Sequence, residues 1–167
     1  MLVPQFLFQH YQEVTPSFLH SHQIRLLLCD LDFTLAPKGV RTPDVQVRKW
    51  IEHLGQEGIT VMIVSNNRSP ERVDAFCKDL GITYQGHAGK PSTRGLVAAM
   101  ERTGIPKEHT AMLGDKLLTD VLAANRAGVL ALMVEPLGGA VTLWQKVLHV
   151  LQRPFKAICV SKMKNSQ

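Results

Sequence analysis

The run LLLCDLDFTL, residues 26–35, constrains this chain more than any other stretch. Three leucines and a cysteine lead directly into two aspartates one residue apart, Asp30 and Asp32. A strand buried on both faces of a parallel sheet reads as such a continuous apolar run. Carboxylates without partners are costly in those surroundings. The aspartates therefore belong where a buried strand leaves the core. In open α/β sheets, the crevice beyond the carboxyl ends of the strands is also where ligands bind.

The rest of the chain alternates in the same way. Val47, Trp50, Ile51 and Leu54 fall at helical spacing and predict a helix over about 43–56, with Pro43 in its first turn and Gly58 past its end. ITVMIV, residues 59–64, reads as a second buried strand. A helix follows, with Ser69 as N-cap, Pro70 at its first position, Gly81 past its end, and Val73, Phe76, Cys77 and Leu80 as its apolar stripe. ITYQG is a short third strand, and a helix runs from GKPS to about residue 103. TAMLG and VLALMV are further strands, with a helix near 118–127 between them. This order predicts an α/β fold with a mostly parallel, doubly wound sheet and right-handed crossovers.

Length bounds the organisation: 167 residues with 45% hydrophobic content suit one domain with its own core. We expect a single domain over 1–167, its core at about 22–136. An apolar N-terminal segment (1–21) and an amphipathic C-terminal segment (141–160) are expected to pack on that core or lie on a membrane. The 19 basic and 14 acidic residues leave a formal charge of +5, which favours anionic partners. Cys29, Cys77 and Cys159 are widely spaced within apolar runs, against a disulfide framework or zinc site and in keeping with a reducing cytoplasm. No apolar run approaches the roughly 20 residues that span a bilayer. MLVPQFLFQHYQEV lacks the basic region and small-residue cleavage site of a secretory signal. The seven histidines are scattered without ligand spacing.

The polar residues fall on the predicted strand ends: Asp30 and Asp32 after the first, Ser65 and Asn66 after the second, Asp115 after a later one, with Lys90 in a neighbouring loop. Three carboxylates make a hard oxygen site suited to Mg²⁺, which takes one or two carboxylates plus waters or phosphate oxygens. Ser65, the adjoining amides and Lys90 can hold a phosphate group. One aspartate can then attack phosphorus, and the other can protonate the leaving alcohol and later deprotonate water. Each residue also has a plain structural reading: turn aspartates, loop polarity, a solvated lysine, or carboxylates stabilised at a helix N-terminus.

These residues resemble the haloacid dehalogenase-like phosphatases. DLDFT is similar to their DxDxT signature, and Ser65, Lys90 in GKP and the acidic GDKLLTD follow in the family's order, so that the resemblance covers about residues 24–134. It implies Asp30 as nucleophile, Asp32 as general acid and base, Ser65 and Asn66 as phosphate contacts, and Lys90 as charge stabiliser. It places Mg²⁺ on the Asp30 carboxylate, the Asp32 backbone carbonyl and Asp115. Asp120 is implied to orient Lys90 or to touch the metal through water. Larger relatives carry a cap domain between these motifs. Here 35 residues separate Asp30 from Ser65 and 25 separate Ser65 from Lys90, both gaps filled by a crossover. No cap domain is expected, only APKGVRTP as a small flap, and an open site suits a phosphate on something large.

SNN and GDKLLTDVLAANRAG are similar to the phosphatidylglycerophosphate phosphatase branch of this superfamily. Two positions depart from that pattern: Phe33 stands where the branch usually has Asn, and Gly89 where a basic residue is common. The resemblance implies a lipid headgroup as substrate, a cytoplasmic protein peripheral on an anionic membrane face, and no specific nucleic acid. Trp144, Val147, Leu148 and Leu151 share a helical face with lysines and an arginine around it, a composition similar to interfacial helices. A helix packed on its own domain has the same pattern. A phosphatase of soluble esters and a non-catalytic phosphate-binding protein remain as alternatives, and an oligomer is open.

Overall fold

The structure, a computed structural model, describes residues 2–138. β1 (Phe6–Phe8), β2 (Leu26–Cys29), β3 (Thr60–Val64), β4 (Thr83–Gln85), β5 (Thr110–Gly114) and β6 (Leu130–Val134) form one sheet in the order β1-β6-β5-β2-β3-β4. Every pairing is parallel. Between the strands run α1 (Pro16–Ser21), α2 (Val45–Gln56), α3 (Pro70–Leu80), α4 (Arg94–Thr103) and α5 (Leu122–Ala127). This is the doubly wound α/β sheet that the alternation predicts.

The continuous apolar run of β2 has a direct cause. Successive side chains of a strand point to opposite faces. Leu27 and Cys29 join one core layer with Trp50 and Leu54 of α2 and Phe76 of α3. Leu26 and Leu28 join the other with Leu96 of α4 and Ala124 of α5. Both faces are covered, so no position of β2 is polar, and all four residues are buried.

Local chemistry sets most boundaries. α2 begins at Val45 because the Asp44 carboxylate caps it, accepting from the Val47 N–H at 2.9 Å, so Pro43 lies outside. α3 starts at Pro70 and ends on Gly81 in the left-handed conformation, φ 67°. Ser69 holds the cap position without a side-chain cap bond; its N–H donates instead to Asn67 Oδ1 at 2.7 Å. The helix expected at 118–127 is α5 preceded by a π-helical turn, Leu117–Val121.

The segment ahead of the core packs on it. β1 extends the sheet beside β6, Phe6 facing Leu132 and Phe8 facing Val134. Tyr11, Val14 and Leu19 are buried, and Trp50 Nε1 donates to the Val14 carbonyl at 3.0 Å. Among the described residues no separate cap domain covers the strand ends. The amphipathic segment at 141–160 lies outside the described residues.

Candidate active site

The sheet order reverses between β2 and β5: the chain runs outward through β3 and β4, then returns to β5 on the other side of β2. The crevice of such a sheet lies at this switch point. Asp30 follows β2 and Asp115 follows β5, in adjacent strands whose register pairs Cys29 with Leu113. Ser65 and Asn66 follow β3 on the other side of β2.

Lys90 is the centre of the arrangement. Its Nζ donates to Asp30 Oδ1 at 2.9 Å and to Asp120 Oδ1 at 2.6 Å, with only 5% of the residue exposed. Asn66 holds the loop that carries it: Asn66 Nδ2 donates to the Lys90 carbonyl, and the Lys90 N–H donates to Asn66 Oδ1, each at 2.9 Å. Both ends of the Asn66 amide are thus engaged with the Lys90 backbone. Ser65 lines the same cavity, and its Oγ accepts the Asn67 N–H at 3.0 Å. Asp120 sits in the π-helical turn and accepts the Lys116 N–H on Oδ2 at 3.1 Å. Asp115 Oδ1 accepts from the buried Thr34 hydroxyl at 3.1 Å and from Lys116 Nζ at 3.0 Å. Asp32 stands apart from the other carboxylates. Its Oδ1 accepts from Arg72 Nη1 at 2.6 Å and its Oδ2 from Asn67 Nδ2 at 2.9 Å.

Burial and charge act against each other here. Burial pushes the Asp30 carboxyl up, but the ammonium groups of Lys90 and Lys116 together outweigh it and hold the group below the usual carboxylate value. Burial would lower Lys90, yet the Asp120 and Asp30 carboxylates raise it, so it stays charged. Asp120 is raised by burial and by Asp30 beyond what the two lysines recover. Asp115 is pushed up to about 7, by burial first and by the Asp120 and Asp30 charges against the pull of Lys116.

The residues fit a hard divalent cation. Carboxylate oxygens of Asp30, Asp115 and Asp120 lie within 4.8 Å of one another, and all three residues are buried. Three carboxylates stand here beside two ammonium groups, Lys90 and Lys116, and burial is the first cause of the raised Asp115. Oxygen donors in excess negative charge are what Mg²⁺ takes.

The sequence pattern of the haloacid dehalogenase-like hydrolases matches residues 8–128. The chain belongs to that family. A protein of Bacillus subtilis (strain 168) named "Probable phosphatase YqeG" is 34% identical over 127 residues, 76% of this chain and 73% of that protein. Among solved structures, the sheet is similar to the cobalt-bound deoxy-D-mannose-octulosonate 8-phosphate phosphatase of Haemophilus influenzae: 16% identity, TM-score 0.53, covering 79% of this chain and 89% of that one. It is similar also to the 3-deoxy-D-manno-octulosonate 8-phosphate phosphatase of Moraxella catarrhalis in complex with magnesium and phosphate ions and KDO: 19% identity, TM-score 0.52, covering 87% and 98%. At these identities the likeness is one of fold.

In this haloacid dehalogenase-like hydrolase the cavity over the strand ends measures about 650 Å³ and is lined by Asp30, Asp32, Ser65, Asn66, Lys90 and Asp120. Lys38, Arg68 and Lys116 add positive charge to its wall. Sequence reasoning did not single out Arg72, Lys116, Thr34 or Asn67. Arg72 lies four residues before Phe76, on the buried face of α3, and that spacing was the available signal. The departure at Phe33 falls where the backbone is left-handed, φ 62°, a conformation Asn adopts more readily than an aromatic residue. Its ring lines the cavity, 5.7 Å from Lys116 Nζ. Gly89, the other departure, also has a positive φ, 65°.

Proposed function

We propose that this haloacid dehalogenase-like phosphatase cleaves phosphomonoesters through an aspartyl-phosphate on Asp30, and that its substrate is phosphatidylglycerophosphate. The observation that carries the catalytic reading is Asp30 kept ionised against Lys90 at the floor of a cavity, with a second carboxylate, Asp32, two residues on. Ser65, the Asn66 backbone N–H and Lys90 receive the phosphate oxygens, and the Asn66 side chain keeps the Lys90 loop in place. An Asp30 oxygen attacks phosphorus as the ester P–O bond breaks, and Asp32 gives its proton to the departing alkoxide. Asp32 then takes a proton from water; the hydroxyl oxygen bonds to phosphorus, the Asp30–phosphorus bond breaks, and inorganic phosphate leaves with the carboxylate restored. Asp30, Asp115 and the Asp32 carbonyl, with Asp120 in the same carboxylate cluster, would hold Mg²⁺, which would neutralise charge on the transferring group.

The lipid reading is supported by the SNN and GDKLLTDVLAANRAG resemblance. An open cavity mouth with Lys38 and Arg68 in its wall also suits a headgroup with further negative charge. No helix among the described residues is long and apolar enough to cross a membrane. The test is phosphate release with Mg²⁺ from phosphatidylglycerophosphate in mixed micelles against a panel of soluble phosphomonoesters, with Asp30→Asn as blank. Preferential lipid turnover is expected. Equal or faster turnover of soluble esters overturns the lipid assignment, and no turnover of any ester overturns the catalytic one.

A further inference from the structure

We infer that Arg72 is a positioning residue that fixes the carboxylate of Asp32 and the 36–43 flap relative to one another. This rests on the reading of Asp32 as the group that protonates the leaving oxygen. Arg72 stands in the first turn of α3 and is 5% exposed, although α3 contributes no other side chain to the Asp32 carboxylate. Three of its nitrogens are engaged at once. Nη1 donates to Asp32 Oδ1 at 2.6 Å, Nε to the Val40 carbonyl at 2.7 Å, and Nη2 to the Pro37 carbonyl at 3.3 Å.

The two carbonyls bracket Lys38, which lines the cavity. One planar guanidinium therefore ties a cavity-lining loop to the acid and holds both against α3. An ammonium group has no fork and cannot span three acceptors set this way. With Asn67 on Oδ2, both oxygens of Asp32 are fixed before substrate arrives. Placement of this kind is worth much in rate, since an error of about 1 Å at a reacting group costs about 10²-fold.

The reading predicts an effect that depends on the leaving group. An alkyl phosphate ester needs a proton on its departing oxygen, whereas 2,4-dinitrophenyl phosphate does not. Arg72→Lys is expected to lower kcat/KM for glycerol phosphate by about 10²-fold and for the dinitrophenyl ester by no more than about threefold. Added to Asp32→Asn, it is expected to cost nothing further with glycerol phosphate. Equal losses on both esters, or losses that multiply in the double variant, overturn the inference.

If Asp32→Asn alone slows both esters alike, the acid assignment fails. The double variant then still decides whether Arg72 acts through Asp32. Arg72→Gln, which keeps N–H donors without the charge, carries the same comparison should the lysine variant not fold.

Discussion

Lys90 lies between Asp30 and Asp120 where water scarcely reaches, and each carboxylate depends on it. Removing one partner of a buried pair leaves an uncompensated charge, at about 3–5 kcal/mol. Lys90→Met is therefore expected to lose that much stability by urea denaturation in chelator, with part recovered in Mg²⁺. Asp115 makes a second prediction. Its folded value, about 7, lies above the ordinary 3.8, so the folded protein keeps a proton that the unfolded chain gives up. That contribution is complete below the ordinary value and is lost as pH rises towards about 7. Asp120 shifts in the same direction, while the opposite share from Asp30 is already in place above its ordinary value. Metal-free protein is expected to lose up to about 4 kcal/mol between about pH 4 and pH 7, and saturating Mg²⁺ to flatten the curve. Asp30 and Asp115 were legible because each follows an apolar run, whereas Lys90 and Asp120 were legible through the GKP and GDKLLTD stretches that resemble family motifs. Arg72 was not: in SPERVD it reads as one more surface charge, its helical spacing from Phe76 marks only a buried face, and the tertiary contact with Asp32 is what gives it a role.

At the scale of elements, the close of β5 controls the site. Gly114 ends that strand, and a Cβ there would overlap the side chain of Asp120. Gly114→Ala is expected to push Asp120 off Lys90, cost about 1–3 kcal/mol in stability, and lower turnover well beyond what that loss explains. A thermal melt beside a phosphate-release assay checks both. α2 and α3 could be placed from sequence because their apolar stripes and terminal residues act locally. The π-helical turn could not, because what holds it is Asp120 reaching back to the Lys116 amide and across to Lys90. β1 escaped for a different reason: three residues carry no periodicity, and its partner β6 lies more than a hundred residues away.

For the whole molecule, the alternation of strands and helices specified a parallel sheet, and the sheet order then brought Asp30 and Asp115 to one crevice. What the pattern left open was where the first twenty residues go, and the answer is that they complete the sheet edge and cover α2 through Val14 and Tyr11. Lys38 and Arg68 line the cavity, and the proposed lipid substrate predicts binding to anionic vesicles that weakens as salt rises, which a flotation series measures directly. The central claim, a phosphoryl group carried by Asp30, is tested most directly by acid-quenching the Mg²⁺-loaded protein during turnover of a ³²P-labelled ester. The account predicts a hydroxylamine-labile phosphoryl group on the peptide containing Asp30, absent from Asp30→Asn, whose turnover falls at least about 10³-fold. Steady turnover with no label on that peptide, or turnover kept by the variant, would contradict it.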